Sequence, residues 1–305
     1  MTGGAREFVA LAPAKVNLVL AVVERRDDGF HELDTVMAAL DWCDRLSIDP
    51  NSAAPPLVVT GPMNSPDIPL DEANLVVRTA RAVAALVDAD APNFVLEKEL
   101  PSMAGLGGGS ADAAAAAWLT ARHLGLDPDA EAVRAVVASV GSDASFFLEA
   151  RATGVARCRG RGEIVEPIEL ELPGWISLIT PAVSVSTPAV FGALRPSDWS
   201  GAIEPFNGWQ SNAEWTSTND LEVAAERVEP ELVVWREALD ETPGGRWLLS
   251  GSGSSYFAMH LSREAAEEAL AAAVIAGKAR DLGLRAQRVS RLRRAGVGAF
   301  LTSEG

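Results

Sequence analysis

The stretch that decides the fold is Pro101-Ser102-Met103-Ala104-Gly105-Leu106-Gly107-Gly108-Gly109-Ser110-Ala111-Asp112. It follows an apolar segment, Phe94 to Leu100, which predicts a strand, and it leads into five alanines, which predict a helix. Glycines between a strand and a helix leave backbone N–H groups unpaired at the positive end of the helix dipole, and that arrangement suits a phosphate. The stretch therefore predicts a phosphate-binding loop, although a tight turn that needs positive φ angles would use the same glycines.

Three further segments carry polar groups suited to phosphate chemistry. Lys15 and Asn17 alternate with apolar residues in an extended stretch, so they share one face of a strand. Asp143 ends a turn of small residues, and a second glycine-rich loop runs from Ser250 to Ser255. Taken singly, these features also fit an exposed strand lysine, a turn cap and a linker.

Apolar periodicity outlines the rest of the chain. A helix is predicted directly after Asn74, which can cap it. Three more helices are predicted, at 130–140, 222–239 and 263–281. The apolar run from Trp175 to Thr180 is predicted to start a second domain, and the segment from Arg195 to Asp220 is predicted to be a long loop that borders a site.

Composition and charge exclude several classes of protein. A formal net charge of −16 over 305 residues leaves no basic surface for a nucleic acid backbone. Cys43 and Cys158 are the only cysteines, so neither a disulfide framework nor a zinc ligand set is expected. The N-terminal segment lacks the pattern of a secretory signal, and no charge-free apolar run reaches membrane-spanning length. We therefore expect a soluble cytoplasmic protein with neither nucleic acid nor membrane partners, and the sequence does not indicate its oligomeric state.

The order of the motifs resembles that of the GHMP kinases. That family has Pro-x-Lys-x-Asn in an N-terminal strand, a central Pro-x3-Gly-Leu-Gly phosphate loop and a C-terminal glycine-rich loop. Here the first motif is Pro13-Ala-Lys15-Val-Asn17, the second is the stretch quoted above, and the third is Ser250-Gly-Ser-Gly-Ser-Ser255. The resemblance extends over nearly the whole chain and implies an ATP-dependent kinase that phosphorylates a hydroxyl group of a metabolite.

The resemblance also implies an α/β fold, an α+β sandwich of the GHMP kinase type, with two domains and the active-site cleft between them. Residues 1–168 are expected to form the ATP-binding domain and residues 169–305 the second domain. ATP is expected to contact Asn74, Lys98 and the phosphate loop, through Pro101, Gly105, Leu106, Gly107, Gly108, Gly109, Ser110 and Ala111. Mg²⁺ is expected to accompany ATP, but the sequence indicates no protein ligand for it.

Asp143 and Lys15 are the catalytic residues that the resemblance implies. Asp143 would accept the proton of the acceptor hydroxyl, and Lys15 would lie near both that carboxylate and the reacting oxygens. Phosphoryl transfer requires mainly positioning and charge stabilisation from a protein, so a lysine, a phosphate loop and Mg²⁺ are sufficient equipment.

Within the family, the chain is most similar to kinases of non-mevalonate isoprenoid synthesis, whose acceptor is a cytidine diphosphate sugar alcohol. The similarity lies in Ala12 to Leu18, in Arg25-Arg-Asp-Asp-Gly-Phe-His-Glu-Leu33, in the triple glycine at 107–109 and in Gly141-Ser-Asp143. The residues thereby predicted to bind this acceptor are Asn17, Phe30, His31, Asp143 and Phe191. His31 would read the cytosine, and Phe30 and Phe191 would supply stacking faces.

Two departures from that pattern affect details of the expected site. Ala144 and Ser145 stand where Val-Pro commonly follows the aspartate, and Phe30 stands where a tyrosine is frequent. These changes affect the local loop shape and one hydroxyl contact. Neither removes a charged group, so the expected activity is unchanged.

Three other functions remain open from the sequence. A GHMP kinase for homoserine, mevalonate or a sugar would share the motifs, a GHMP-fold binding or regulatory protein would lack catalysis, and a nonspecific α/β binding module would show no kinase or ATPase activity. The phosphate loop, Lys15 and Asp143 occur together, which favours a kinase. Phe30, His31 and the triple glycine favour the cytidine acceptor.

Overall fold

The computed structural model describes residues 9–51, 53–203 and 218–293. Within these ranges the strands are β1 Val9–Arg25, β2 His31–Asp49, β3 Leu57–Thr60, β4 Asn93–Glu97, β5 Val155–Gly160, β6 Ile164–Pro167, β7 Trp175–Pro181, β8 Leu248–Leu249, β9 Tyr256–His260 and β10 Leu284–Arg291. The helices are α1 Leu75–Ala84, α2 Gly108–His123, α3 Glu131–Val140, α4 Ala144–Glu149, α5 Thr187–Ala193, α6 Glu222–Val228, α7 Glu231–Asp240 and α8 Arg263–Ala279. Short 3-10 helices cover Ala85–Val87 and Pro196–Asp198. The predicted α/β class is confirmed.

The first sheet is built around the long antiparallel pair of β1 and β2, which a polar turn at 27–29 connects. β1 pairs along nearly the whole of one edge of β2. The other edge of β2 pairs with β5 at residues 33–38 and with β4 at residues 45–49. β3 extends the sheet beyond β4 in parallel, and β6 extends it beyond β5. The extended stretch predicted around Lys15 and Asn17 is therefore confirmed as part of β1.

β1 has a register irregularity between Pro13 and Lys15, and the side chains of its two faces exchange layers at this point. Before it, Ala12 packs in the core beneath the helices, and after it Val16 packs in the core between the two sheets. Because side chains alternate along a strand, Lys15 and Asn17 are thereby turned toward the helical layer. The irregularity places the two polar residues of the first motif where the phosphate loop lies.

The second sheet is antiparallel with the strand order β10-β7-β9-β8. One apolar core lies between the first sheet and α1–α4, a second between the two sheets, and a third between the second sheet and α5–α8. Leu20 and Val22, near the end of β1, pack in this third core. Apolar contacts thus cross residue 168, and the domain boundary expected there stays a prediction.

The helices largely follow the periodicity of the sequence. Asn74 caps α1, since its side chain accepts the N–H of Val76 at 2.9 Å. α3 and α8 lie where helices are predicted. The single helix predicted over 222–239 is wrong, because Pro230 separates α6 from α7. A proline has no N–H to donate and its ring collides with the preceding turn, so the helix ends before it and begins again after it.

Only part of the predicted long loop can be described. Residues 204–217, which include Trp209 and Trp215, lie outside the described residues. Ser200 and Asp220 lie on the two sides of these residues, and the carboxylate of Asp220 accepts the N–H of Ser200 at 2.8 Å. The same carboxylate accepts the N–H of Val22 in β1 at 2.7 Å. One carboxylate therefore ties both ends of the loop to β1. None of the helices in the described ranges combines the length and apolarity needed to cross a bilayer.

Candidate active site

A cavity of about 500 Å³ opens where the first sheet, the phosphate loop and the second glycine-rich loop meet. Its lining includes most residues that the sequence predicts for the site, namely Lys15, Asn17, Lys98, Pro101, Gly105, Leu106, Gly107, Gly108, Gly109, Ser110, Asp143 and Phe191. Gly251 and Ser252 of the third motif also line it. All three motifs, which lie far apart in the sequence, therefore converge on one cavity.

Hydrogen bonds to its carbonyl groups hold the phosphate loop from both sides. The N–H of Lys15 in β1 donates to the carbonyl of Leu106 at 2.9 Å. On the other side, the hydroxyl of Ser250 donates to the carbonyl of Gly105 at 2.9 Å, and the N–H of Ser255 donates to the carbonyl of Ala104 at 3.1 Å. The loop is thus fixed between a strand of the first sheet and a loop of the second.

Gly105 and Gly107 are required by the conformation of the loop. Their φ angles are 74° and 71°, in the left-handed region that strains other residues. A Cβ on Gly105 would overlap the carbonyl of Ser250, and a Cβ on Gly107 would lie 2.9 Å from Cγ of Lys15. Any side chain at either position would displace one of the partners that hold the loop.

The phosphate loop ends at the N-terminus of α2, as predicted. Gly107 is the N-cap, and the N–H of Ala111 makes the first helical bond, to the carbonyl of Gly107 at 2.9 Å. The N–H groups that precede this bond belong to Gly108, Gly109 and Ser110, and they lie at the positive end of the helix dipole. Ala111 is buried with its amide committed to the helix, so its contact with ATP stays a prediction.

Lys15 belongs to a chain of buried hydrogen bonds that ends at Asp143. Its Nζ donates to Oδ1 of Asn17 at 2.6 Å and lies 3.3 Å from Oδ2 of Asp143. Asn17 donates to Oγ1 of Thr35 at 2.9 Å, and Thr35 donates to the carbonyl of Val19 at 2.6 Å. These bonds fix the ammonium group so that it faces the carboxylate of Asp143.

Asp143 precedes the first residue of α4 but does not cap it. Its side chain makes no capping hydrogen bond to the helix, and it is 30% exposed at the cavity. The interpretation of Asp143 as a turn cap is therefore wrong. Since the Lys15 side chain is only 5% exposed, the interpretation of Lys15 as an exposed strand lysine is wrong as well.

Lys98 belongs to a buried ionic group beside the phosphate loop. Its Nζ contacts Asp44 and lies 2.9 Å from Oδ2 of Asp112, while Oδ1 of Asp44 accepts the N–H groups of Glu99 at 2.6 Å and Leu100 at 2.8 Å. Burial raises the pKa of Asp112 to about 7, although the charge of Lys98 acts in the opposite direction. Oδ1 of Asp112 has no hydrogen-bond partner within the described ranges. The group anchors the loop, and contact between Lys98 and ATP stays a prediction.

A second cavity of about 550 Å³ adjoins the first along the phosphate loop. Both cavities are lined by Lys98 and Gly109, and Asn74 lines the second one. Besides capping α1, Asn74 donates from its Nδ2 to the carbonyl of Pro69 at 2.8 Å. A nucleotide whose phosphates lie on the loop would find room here for its nucleoside.

Aromatic residues surround His31 beside the first cavity. Its ring is stacked on Phe191 with centroids 5.5 Å apart, and Trp199 meets it edge-on at 6.0 Å. Phe30 is 53% exposed, with the guanidinium of Arg161 at 4.9 Å from its ring centre. Partial burial lowers the pKa of His31, and the charge of a nearby arginine lowers it further, which favours the neutral ring. Of the three residues predicted to surround the cytosine, His31 and Phe191 are in contact, and Phe30 precedes His31 in the chain.

Sequence reasoning missed several residues of the site. Arg161 and Thr187 line the cavity, and Asp44 anchors Lys98. The sequence does carry a signal for Arg161, because it is a basic residue in a turn of an acidic chain. Asp44 gives no such signal, because 54 residues separate it from the lysine that it pairs with.

Comparison with known proteins adds to this geometry. The family model for the GHMP kinases N terminal domain matches residues 74–150, and the model for GHMP kinases C terminal matches residues 203–279. A 4-diphosphocytidyl-2-C-methyl-D-erythritol kinase of Cereibacter sphaeroides is 39% identical over 268 residues, covering 85% of this chain and 92% of that protein. A protein of the same name from Methylobacterium radiotolerans is 43% identical over 275 residues, covering 86% and 92%.

Solved structures point the same way. A crystal structure of 4-(cytidine 5'-diphospho)-2C-methyl-D-erythritol kinase superposes with a TM-score of 0.73 at 33% identity, covering 93% of this chain and 98% of that one. Homoserine kinase from Cytophaga hutchinsonii superposes with a TM-score of 0.72 at 19% identity, covering 97% and 98%, and this likeness concerns the fold alone. The chain belongs to the GHMP kinase family, whose members are ATP-dependent kinases.

Proposed function

We propose that this chain transfers the γ-phosphate of ATP to the 2-hydroxyl group of 4-diphosphocytidyl-2-C-methyl-D-erythritol, a step of non-mevalonate isoprenoid precursor synthesis. It is then a phosphotransferase with an alcohol group as acceptor. The observation that carries the proposal is that one cavity is lined by the phosphate loop, by the Lys15–Asp143 pair and by Phe191, on which His31 is stacked. Homoserine and mevalonate have no ring for an aromatic cluster to bind.

The cytosine of the acceptor would lie among Phe30, His31 and Phe191. A neutral imidazole has one donor and one acceptor nitrogen, which can pair with the mixed donor and acceptor edge of cytosine. An aromatic face adds stacking that holds the ring in one plane. The hydroxyl group at the other end of the acceptor would reach Asn17 and Asp143.

Transfer then needs a base and a positive charge at the reacting oxygens. As the acceptor oxygen bonds to the γ-phosphorus, its proton passes to the carboxylate of Asp143, and the bond from the γ-phosphorus to the bridging oxygen breaks to release ADP. Lys15, held by Asn17 at 2.6 Å, stabilises the negative charge of the transferring group. The N–H groups at the start of α2 hold the remaining phosphates in place.

Mg²⁺ would enter with the nucleotide. This ion keeps several waters and is bound mainly through phosphate oxygens and one or two carboxylates, and it neutralises charge that develops on the phosphates. The hydroxyl of Ser110, at the end of the phosphate loop, lines the cavity and would be an oxygen ligand of this chain for the ion.

The remaining assignments rest on the same proposal. Asn74, Lys98 and the loop from Pro101 to Ala111 would hold ATP, and residues 1–168 and 169–305 would form the two domains around the cleft. The substrates are soluble metabolites, so the protein would act in the cytoplasm without a membrane or nucleic acid partner.

A coupled ADP-release assay with a panel of acceptors tests the function. We expect ADP release with the cytidine diphosphate sugar alcohol, and little with homoserine, mevalonate or no acceptor. Phosphorus NMR of the product should show a new phosphate monoester on the 2-hydroxyl. A higher kcat/KM with homoserine or mevalonate would refute the proposed acceptor, and ATP binding without ADP release would indicate a binding protein.

A further inference from the structure

Among the residues that the structure describes, one cation of the cavity has no role in the proposed mechanism. Within the described ranges, three basic side chains line it, from Lys15, Lys98 and Arg161. Lys15 is paired with Asp143, and Lys98 is buried between two carboxylates. Arg161 is held more loosely, because its side chain is 35% exposed and its ion pair with Glu163 is 3.6 Å long.

Glu163 neutralises Arg161 incompletely. One oxygen of its carboxylate accepts the backbone N–H of Arg161 at 2.6 Å, which closes the turn between β5 and β6. The carboxylate is therefore engaged by the turn itself, and the Arg161 guanidinium keeps donors for another anion. In a protein with a net charge of −16, an anionic ligand depends on such local positive groups.

The turn that carries Arg161 touches both ends of the acceptor site. The guanidinium lies over the ring of Phe30 at 4.9 Å. The next residue, Gly162, lies against the turn that carries Asp143, since a Cβ on Gly162 would lie 3.7 Å from Oδ1 of Asp143. Arg161 thus stands where a ligand passes from the aromatic cluster to the carboxylate of Asp143.

We infer that Arg161 binds the diphosphate group of the acceptor, an inference that rests on the proposed function. In a cytidine diphosphate sugar alcohol, the diphosphate joins the base to the alcohol. With the base among the aromatic rings and the hydroxyl at Asp143, the diphosphate must cross the turn that carries Arg161. A guanidinium matches phosphate geometry with two parallel hydrogen bonds, so Arg161 selects acceptors that carry the diphosphate.

Binding of cytidine, CMP and CDP, measured by calorimetry, tests this role directly. The nucleotide site should be filled with a non-hydrolysable ATP analogue so that CDP binds at the acceptor site. A charge-assisted hydrogen bond corresponds to about a ten- to hundredfold change in affinity. We expect the wild type to bind CDP more tightly than cytidine by about that factor, and Arg161→Met to lose the preference with cytidine affinity unchanged.

Two further variants serve as controls. Arg161→Lys should keep part of the preference for CDP, because it retains the charge without the planar fork. Arg159→Met removes a half-exposed arginine of β5, paired with Glu166, and should behave like the wild type. In the kinase assay, Arg161→Met should raise KM for the acceptor and leave KM for ATP unchanged.

Three results would overturn the assignment. An Arg161→Met protein with the wild-type ratio of CDP to cytidine affinity would show that Arg161 does not bind the diphosphate. An equal loss for cytidine and CDP would show that Arg161 acts through Phe30. A wild type that releases no ADP with the cytidine acceptor would instead refute the proposed function, and the assignment of Arg161 with it.

Discussion

Replacement of Asp143 by Asn tests the proposed base without changing the shape of the site. A positioned general base contributes about 10² to 10⁴ in rate, which is about 3 to 5 kcal/mol at 1.36 kcal/mol for each factor of ten. The structural cost should be smaller, because Asp143 makes no capping bond and Lys15 keeps its hydrogen bond to Asn17.

The two effects can therefore be separated by experiment. Asp143→Asn should lower kcat in the coupled ADP-release assay by about 10² to 10⁴, while ATP affinity measured by calorimetry stays within a few-fold of the wild type. Glu166→Gln is the matched control, since it removes an exposed carboxylate of β6 and should leave kcat unchanged. Thermal unfolding should show a small shift for both variants.

Lys15→Met extends the test to the pair. If Lys15 and Asp143 act as one unit, the double variant should be little slower than the slower single variant, because effects of cooperating catalytic residues are not additive. If they act independently, the two losses in rate should multiply. An Asp143→Asn enzyme that keeps a kcat near that of the wild type with the cytidine acceptor would refute the assignment of the base.

Four other perturbations test separate parts of the site. Gly109→Val should weaken ATP binding at least tenfold in a folded protein, because the new side chain enters the space beside the phosphate loop, and calorimetry that finds unchanged affinity would remove Gly109 from the nucleotide site. His31→Ala should raise KM for the cytidine acceptor much more than KM for ATP in steady-state kinetics, and equal effects on both would assign His31 a structural role. Burial raises the pKa of the Asp112 carboxyl to about 7, above its value in the unfolded chain. The protonated carboxyl therefore favours the folded state at low pH, and this part of the stability is lost as the pH rises from about 4 through 7. Urea unfolding across that range should show the loss in the wild type and a flatter profile in Asp112→Asn, and parallel profiles would contradict it. Gly105→Ala should lower the free energy of unfolding by at least about 2 kcal/mol, because its positive φ angle and the carbonyl of Ser250 both exclude a Cβ, and an unchanged melting temperature would show that the loop can adapt.

Much of the site could be predicted because its residues stand in motifs of fixed local spacing. Alternation along the first strand places Lys15 and Asn17 on one face, and Nζ and Oδ1 of these residues meet at 2.6 Å. The glycines of the phosphate loop and the cap at Asn74 likewise follow from local rules. Each of these predictions depends on neighbours in the sequence, which are fixed before any tertiary contact forms.

The parts that could not be predicted depend on contacts between distant segments. The irregularity between Pro13 and Lys15 decides which layer the first motif faces, and alternation alone does not reveal it. Asp44 becomes the partner of Lys98 only when β2 pairs with β4. The break before α7 is different, because Pro230 was visible in the sequence and a rule about proline would have found it.

The contacts that Ser250 and Ser255 make with the phosphate loop have a consequence for dividing the polypeptide. A fragment ending near residue 168 would keep every glycine of the loop but lose both hydroxyl and amide donors that hold its carbonyls. Such a fragment should bind ATP poorly alone and regain binding when the complementary piece is co-expressed. ATP would then stabilise the association of the two pieces, because the surface that binds ATP is complete only after they join.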